Sequence, residues 1–247
     1  MAAGKRYSAA IKLFDRDKLY HISEAVNLVK QMATAKFDET IELHFRLGID
    51  PRHSDQQVRS TVLLPHGLGK TVRVLVFAEG EDARAATAAG ADFIGDDEMI
   101  NRIQKDNFLD FEATLAVPSM MPKVGRLGRI LGTRGLMPNP KAGTVVQPED
   151  LPRAVNELKA GRVEFRNDKT GNLHVPIGKA SFPAEQILGN AQAVIEAVQR
   201  QKPSAVKGIY IKRVTLTSTM APGIRLDMSA AGAAAAAAQA EAQNAAG

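Results

Sequence analysis

Between residues 40 and 47 apolar and polar side chains alternate without a break. Ile41, Leu43, Phe45 and Leu47 fall on one side, and Thr40, Glu42, His44 and Arg46 on the other. A period of two predicts a strand with one face buried and one face wet. Just upstream, Val26, Val29, Met32 and Ala33 share one face of a helix that Ser23 can cap and that ends near Lys36. Residues 58–64 predict a second strand pairing back on the first, across a polar loop that contains Asp50-Pro51-Arg52-His53. Pro65-His66-Gly67-Leu68-Gly69 then marks a boundary.

Beyond it the pattern changes. Residues 71–77 and 111–117 are near-continuous apolar strands, 90–94 is a shorter one, and 81–89 and 96–106 read as helices between them. A closing helix spans 148–159, with proline at its start. Strands alternating with helices at this spacing predict a small parallel α/β domain. Residues 162–166 and 173–177 then read as a hairpin around Asn167-Asp168-Lys169-Thr170-Gly171. Pro183 opens a helix whose stripe is Ile187, Leu188, Ala191, Val194, Ile195 and Val198. The last strand, 209–217, shifts its apolar phase from Ile209 and Ile211 to Val214 and Leu216, which predicts a bulge over 212–214. The alanine-rich stretch 229–247 offers no stripe to dock and is expected to be disordered. Each outer segment carries too little core to stand alone, so their strands are expected to share one antiparallel sheet.

Charge sharpens this division. The net charge is +5, but residues 1–65 and 159–228 together hold 21 Lys+Arg against 13 Asp+Glu, whereas 66–158 hold 11 against 13. The outer segments therefore suit a polyanion, or present a merely solvated basic surface. Within the central block, residues 118–144 carry Lys123, Arg126, Arg129, Arg134 and Lys141 and no acid. With its glycines and prolines, this stretch reads either as a loop shaped to meet a partner or as a lid neutralising its own acidic domain.

Several chemistries can be set aside. Cysteine is absent, which removes disulfides, thiolate metal sites and cysteine nucleophiles. Gly67-Leu68-Gly69-Lys70-Thr71 ends like a phosphate-binding loop, but Leu64 stands where its first glycine belongs and a strand follows rather than precedes it. The glycines at 125, 128, 132 and 135 lack dinucleotide spacing. Histidines 21, 44, 53, 66 and 174 show no metal spacing, and Asp96-Asp97-Glu98 fits a helix start. No apolar run is long enough to span a membrane, and the short basic N-terminus lacks a secretory core, so a cytoplasmic address is expected. No cofactor and no enzymatic reaction are expected.

What remains is a pair of distant stretches. Val214-Thr215-Leu216-Thr217-Ser218-Thr219-Met220-Ala221-Pro222-Gly223 ends a strand in hydroxyls, a methionine and a turn. By itself this reads as a hydroxyl-stabilised turn, or as a surface whose hydroxyls meet phosphate and ribose while Met220 faces a sugar or base. Lys36-Phe37-Asp38-Glu39-Thr40-Ile41-Glu42-Leu43 sets a cation and an aromatic before a strand, with Phe37 expected to be buried or stacked.

Together the two stretches closely resemble the bacterial form of the L-one family of ribosomal proteins, the large-subunit protein of the mobile stalk. The resemblance runs from about Tyr7 to Met228. It includes Gly125-Arg126-Leu127-Gly128-Arg129-Ile130-Leu131-Gly132, Gly135-Leu136-Met137-Pro138-Asn139-Pro140 and Arg166-Asn167-Asp168-Lys169-Thr170-Gly171.

The resemblance implies a two-domain α/β (α+β) architecture. Residues 1–66 and 159–228 would form a discontinuous split β-α-β RNA-binding domain, and 67–158 an inserted, hinged, Rossmann-like one. It implies an RNA surface of Lys36, Phe37, Thr40, Glu42, Arg166, Asp168, Lys169, His174, Thr215, Thr217, Ser218, Thr219 and Met220. The implied partners are large-subunit ribosomal RNA, exit-site tRNA and the messenger RNA of its own operon, for a chain that is monomeric away from the ribosome. Glu42, an acid facing a polyanion, would accept from a ribose hydroxyl or base amine, or orient a neighbouring Lys or Arg. The family usually has glycine where Ala221 stands, a place where close RNA approach or a positive φ is expected. Two alternatives stay open: an α/β enzyme with a basic accessory module, and a general nucleic-acid scaffold.

Overall fold

A computed structural model describes residues 4–228; the stretch expected to be a disordered tail lies outside the described residues. In chain order the elements are α1 (Lys5–Ile11), α2 (Ile22–Met32), β1 (Thr40–Leu47), β2 (Arg59–Leu63), β3 (Val74–Phe77), α3 (Gly80–Ala88), β4 (Phe93–Ile94) and α4 (Asp97–Asp106). There follow β5 (Ala113–Ala116), α5 (Met121–Val124), α6 (Gly128–Thr133), α7 (Leu151–Lys159), β6 (Arg162–Arg166), β7 (Asn172–Lys179), α8 (Ala184–Arg200), β8 (Ile211–Ser218) and β9 (Ile224–Leu226). The chain is a mixed α/β protein that separates into two compact units. One is built from the stretches up to Gly69 and from Val163 onward, the other from Lys70–Arg162.

In the discontinuous unit β1 is the axis. It lies in a four-stranded sheet of order β7-β1-β8-β9, antiparallel to both β7 and β8. Its burial alternates as its sequence does, so Ile41, Leu43, Phe45 and Leu47 point into a core closed by α2 and α8. Ala25, Val26 and Val29 supply the first helix's buried stripe, and Ile187, Ala191, Val194, Ile195 and Val198 the second's. Both helices pack on one side of the sheet, which leaves the Thr40, Glu42, His44 and Arg46 side without a helical cover. Asn190 is fully buried with its amide satisfied: it donates to the carbonyls of Gly67 and Ile177 and accepts from His66 N–H. That side chain ties the turn after β2 to α8, because an unpaired amide there would cost on the order of 1–3 kcal/mol.

Several expectations need correction. The strand at 58–64 does not pair back on β1; β2 pairs with β6 in a separate two-stranded sheet. Accordingly 162–166 and 173–177 are not a hairpin, since β6 and β7 flank the Asp168 turn but belong to different sheets. The outer strands thus form two sheets rather than one. α2 is capped by His21, whose Nδ1 accepts from Ser23 N–H, so Ser23 sits inside the first turn. Among the elements with no sequence expectation are α1 and the short edge strand β9 that extends the sheet beyond β8. The phase shift near residue 212 has a physical counterpart: Arg46 opposes Arg213 while Leu47 opposes Ile211, so Lys212 is the extra residue of a bulge.

The second unit holds a parallel sheet of order β4-β3-β5, with every residue of β3 buried. The 118–144 stretch is not an open loop. It runs through 3-10 turns, α5 and α6, and sends Met120, Val124, Leu127 and Leu131 into the core at helical spacing. Lys123 is answered by Glu79 and Asp97, as a charge-neutralising lid requires, while Arg126, Arg129 and Arg134 are exposed. Among the described residues no helix is long and apolar enough to cross a membrane.

Candidate nucleic-acid interface

The end of β1 and the end of β8 are held together by one buried acid. Glu39 is 1% exposed, and one carboxylate oxygen accepts from Ser218 Oγ (2.7 Å) and Met220 N–H (3.0 Å) while the other accepts from Ala35 N–H (2.9 Å). Burial alone would raise its pKa. The hydrogen bonds from Ser218, Ala35 and Met220 and the positive charge of Arg6 outweigh that, so its pKa lies below the ordinary value. A second clasp sits beside it. Thr219 N–H donates to Thr40 O, and Thr40 N–H donates to Thr219 Oγ1, each at 3.0 Å. Two stretches 179 residues apart are thereby fixed as one surface.

Lys36, Phe37, Thr219 and Met220 stand out on that surface. Phe37 is 54% exposed and Met220 50%, so Phe37 is neither buried nor stacked within the protein. Two apolar side chains held outward beside a lysine suit a flat, anionic ligand better than they suit water. The hydroxyl run divides differently from its expected reading. Ser218 is 2% exposed and spends its proton on Glu39, so it positions the turn and does not stand on the surface. Thr217 Oγ1 lies 3.1 Å from Ser218 O and 3.0 Å from Ala221 O, and donates to these carbonyls, so a partner meets it only as an acceptor. Ala221 lacks the positive φ expected for it, the only described non-glycine residue with one being Asn107, and alanine fits there without strain.

Thr217→Val is therefore expected to act mainly through the turn. Removing the hydroxyl frees the Ala221 carbonyl and should lower stability by about 0.5–1.5 kcal/mol, read by urea unfolding. An unchanged midpoint would mean that the turn does not rely on this bond.

Further along the open face, Glu42 opposes Thr217, His44 opposes both Thr215 and His174, and Arg46 opposes Asn172 and Arg213. His44 Nδ1 and His174 Nδ1 are 2.7 Å apart, so one carries the proton and the other accepts. Burial and then the neighbouring His174 push the His44 pKa down, with Glu42 at 3.8 Å opposing them. The neighbour of Glu42 is thus His44 rather than a lysine or arginine. Asp168 anchors the β6–β7 turn, accepting from the N–H groups of Thr170 and Asn172 and from their side chains. Burial would raise its pKa, and these bonds hold it well below the ordinary range. Lys169 is exposed in the same turn, whereas Arg166 is exposed at the end of β6, on the other sheet. The functional-looking residues with no earlier assignment are Glu39, His44, Arg46, Asn172 and Arg213. The wet phase of β1 signalled His44 and Arg46; nothing local signalled the burial of Glu39.

No group of three or more histidine, aspartate or glutamate side chains with metal-holding geometry occurs among the described residues. Residues 29–222 match the model of the ribosomal protein L1p/L10e family. The chain is 60% identical over 227 residues to the large ribosomal subunit protein uL1 of Chloroflexus aggregans, covering 92% of this chain and 96% of that protein. It is 59% identical over 228 residues to uL1 of Chloroflexus aurantiacus, covering 92% and 96%. Against uL1 of Persephonella marina the identity is 56% over 228 residues, covering 91% and 93%. These relatives are named for a ribosomal subunit and not for a reaction.

Proposed function

The chain belongs to the ribosomal protein L1p/L10e family, and on that premise we propose that its discontinuous unit binds large-subunit ribosomal RNA. The contact surface is the uncovered face of the four-stranded sheet and the clasp at its end. The observation that carries this reading is the outward pair Phe37 and Met220 beside Lys36, held by a buried carboxylate. Phe37 and Met220 give a base or sugar an apolar face, Lys36 meets a phosphate, and the remaining acceptor capacity of Thr217 and Glu42 takes a ribose hydroxyl or base amine. Such contacts read RNA against DNA, because only RNA supplies the 2′-hydroxyl.

In this reading residues 1–66 and 159–228 are the RNA-binding domain and 67–158 an inserted α/β domain. The finer roles follow the family: binding at the base of the mobile stalk near the tRNA exit site, helping deacylated tRNA leave, and repressing its own operon through a similar fold in messenger RNA. The protein is then a cytoplasmic ribosomal component, a monomer off the ribosome, with no cofactor.

A salt titration of affinity for a large-subunit ribosomal RNA fragment tests the Lys36 contact. Lys36→Gln should reduce the slope of log affinity against log salt by about 0.7–0.9, the value for one lost phosphate contact. A slope equal to that of the unsubstituted chain would remove Lys36 from the interface.

A further inference from the structure

We propose that Arg46, Lys212 and Arg213 form a second phosphate-binding subsite for the RNA backbone, at the end of the open sheet face away from Lys36. The inference rests on the RNA-binding reading above and adds a place of contact to it. Arg46 on β1 lies directly opposite Arg213 on β8, and like charges opposed across an antiparallel pair destabilise a sheet. The bulge adds Lys212 as an extra residue beside them. Bulges re-aim side chains, and here the result is a third cation at the same place.

All three side chains are exposed, and none has an acid partner among the described residues. The Arg46 guanidinium donates to Asn172 Oδ1 at 3.2 Å. Some cations elsewhere meet acids, as Arg59 meets Glu164, Lys123 meets Glu79 and Asp97, and Arg200 meets Glu196; what sets Arg46, Lys212 and Arg213 apart is that the strand pairing and the bulge gather them at one place. The nearby Asp168 does not neutralise the cluster, since its oxygens are engaged by Thr170 and Asn172 and its closest cationic candidate is His174 at 3.9 Å.

The three cations line a hollow of about 490 Å³ together with His44, Asn172, His174 and Thr215. The guanidinium groups supply forked donors that match phosphate oxygens, and the Asn172 amide and Thr215 hydroxyl add donors without charge. Thr40 and Arg46 are six residues apart on one strand, about 20 Å at roughly 3.3 Å per residue. This subsite therefore takes a different phosphate from the one that Lys36 meets.

The test is a salt titration of affinity for a large-subunit ribosomal RNA fragment, using the full chain, the double variant Arg46→Gln/Arg213→Gln, Lys212→Gln alone, and Arg200→Gln as a charge control. The double variant should lower the slope of log affinity against log salt by about 0.7–0.9. Lys212→Gln should move it in the same direction, and Arg200→Gln should leave it unchanged. Urea unfolding separates binding from structure: the double variant should be as stable as the unsubstituted chain or more so, because a repulsion is removed. Unchanged slopes in both folded variants overturn the subsite, and so does an equal fall with Arg200→Gln, which would mark a general charge effect. If the double variant does not fold, Lys212→Gln decides alone. A full chain that fails to bind ribosomal RNA at all overturns the underlying RNA-binding reading instead.

Discussion

Glu39→Ala should cost about 3–5 kcal/mol of folding stability, a large fraction of what holds a domain together. The carboxylate is buried and accepts from three donors, Ser218 Oγ, Ala35 N–H and Met220 N–H. Truncation leaves the buried Ser218 hydroxyl and the part-buried Ala35 and Met220 N–H groups without their acceptor, and a buried unpaired donor costs on the order of 1–3 kcal/mol. Glu39→Gln should cost less, because one oxygen survives while the other becomes an NH2 group facing donors. The charge also sets a pH dependence. Because folding lowers the Glu39 pKa below its ordinary value of 4.5, its contribution is present above that value and is lost as pH falls through the lower folded one. The Gln variant should therefore lose less stability on acidification through that window than the unsubstituted chain. Urea unfolding at neutral and acid pH measures both effects. A loss under 1 kcal/mol for Glu39→Ala would show that the two stretches are held together by something else.

Phe37→Ala combined with Met220→Ala should weaken binding to ribosomal RNA by roughly 5- to 150-fold while leaving stability nearly unchanged. Both side chains are about half exposed and add little to the core, so what they lose is contact with a partner. Stacking of a base on such a side chain is worth about 1–3 kcal/mol, which is the quoted range of affinity. Leu63→Ala is the control, since Leu63 is 50% exposed on β2, in the other sheet. Unchanged affinity in the double variant, with the midpoint of unfolding also unchanged, would mean that the exposed pair has no part in the interface.

The legible parts of the fold were those whose signal is local. β1 announced itself through unbroken alternation, α8 through its stripe, and the bulge at Lys212 through a change of apolar phase. Strand partners are not legible, because β2 and β7 both pack on the distant α8 and pair with strands that are not their neighbours in sequence. Glycine and proline masked the spacing of Met120, Val124, Leu127 and Leu131, so a helical stretch read as a loop. At the candidate interface, local sequence places Lys36, Phe37 and Met220 at the ends of strands. It could not tell that Ser218 and Thr217 give their protons to groups of the protein, or that an acid beside Thr40 is buried, since the partners of Glu39 lie up to 181 residues away.

The discontinuous unit alone is expected to recognise ribosomal RNA. The direct measurement is the affinity of a shortened chain, with Gly69 joined to Val163 by a short flexible linker, for a large-subunit ribosomal RNA fragment in the presence of excess duplex DNA. The charge, the clasp and the exposed aromatic all lie outside the excised stretch, so the affinity should stay within a few-fold of that of the full chain and resist the DNA. Loss of RNA binding in a shortened chain shown by circular dichroism to be folded, or equal displacement by duplex DNA, would contradict it.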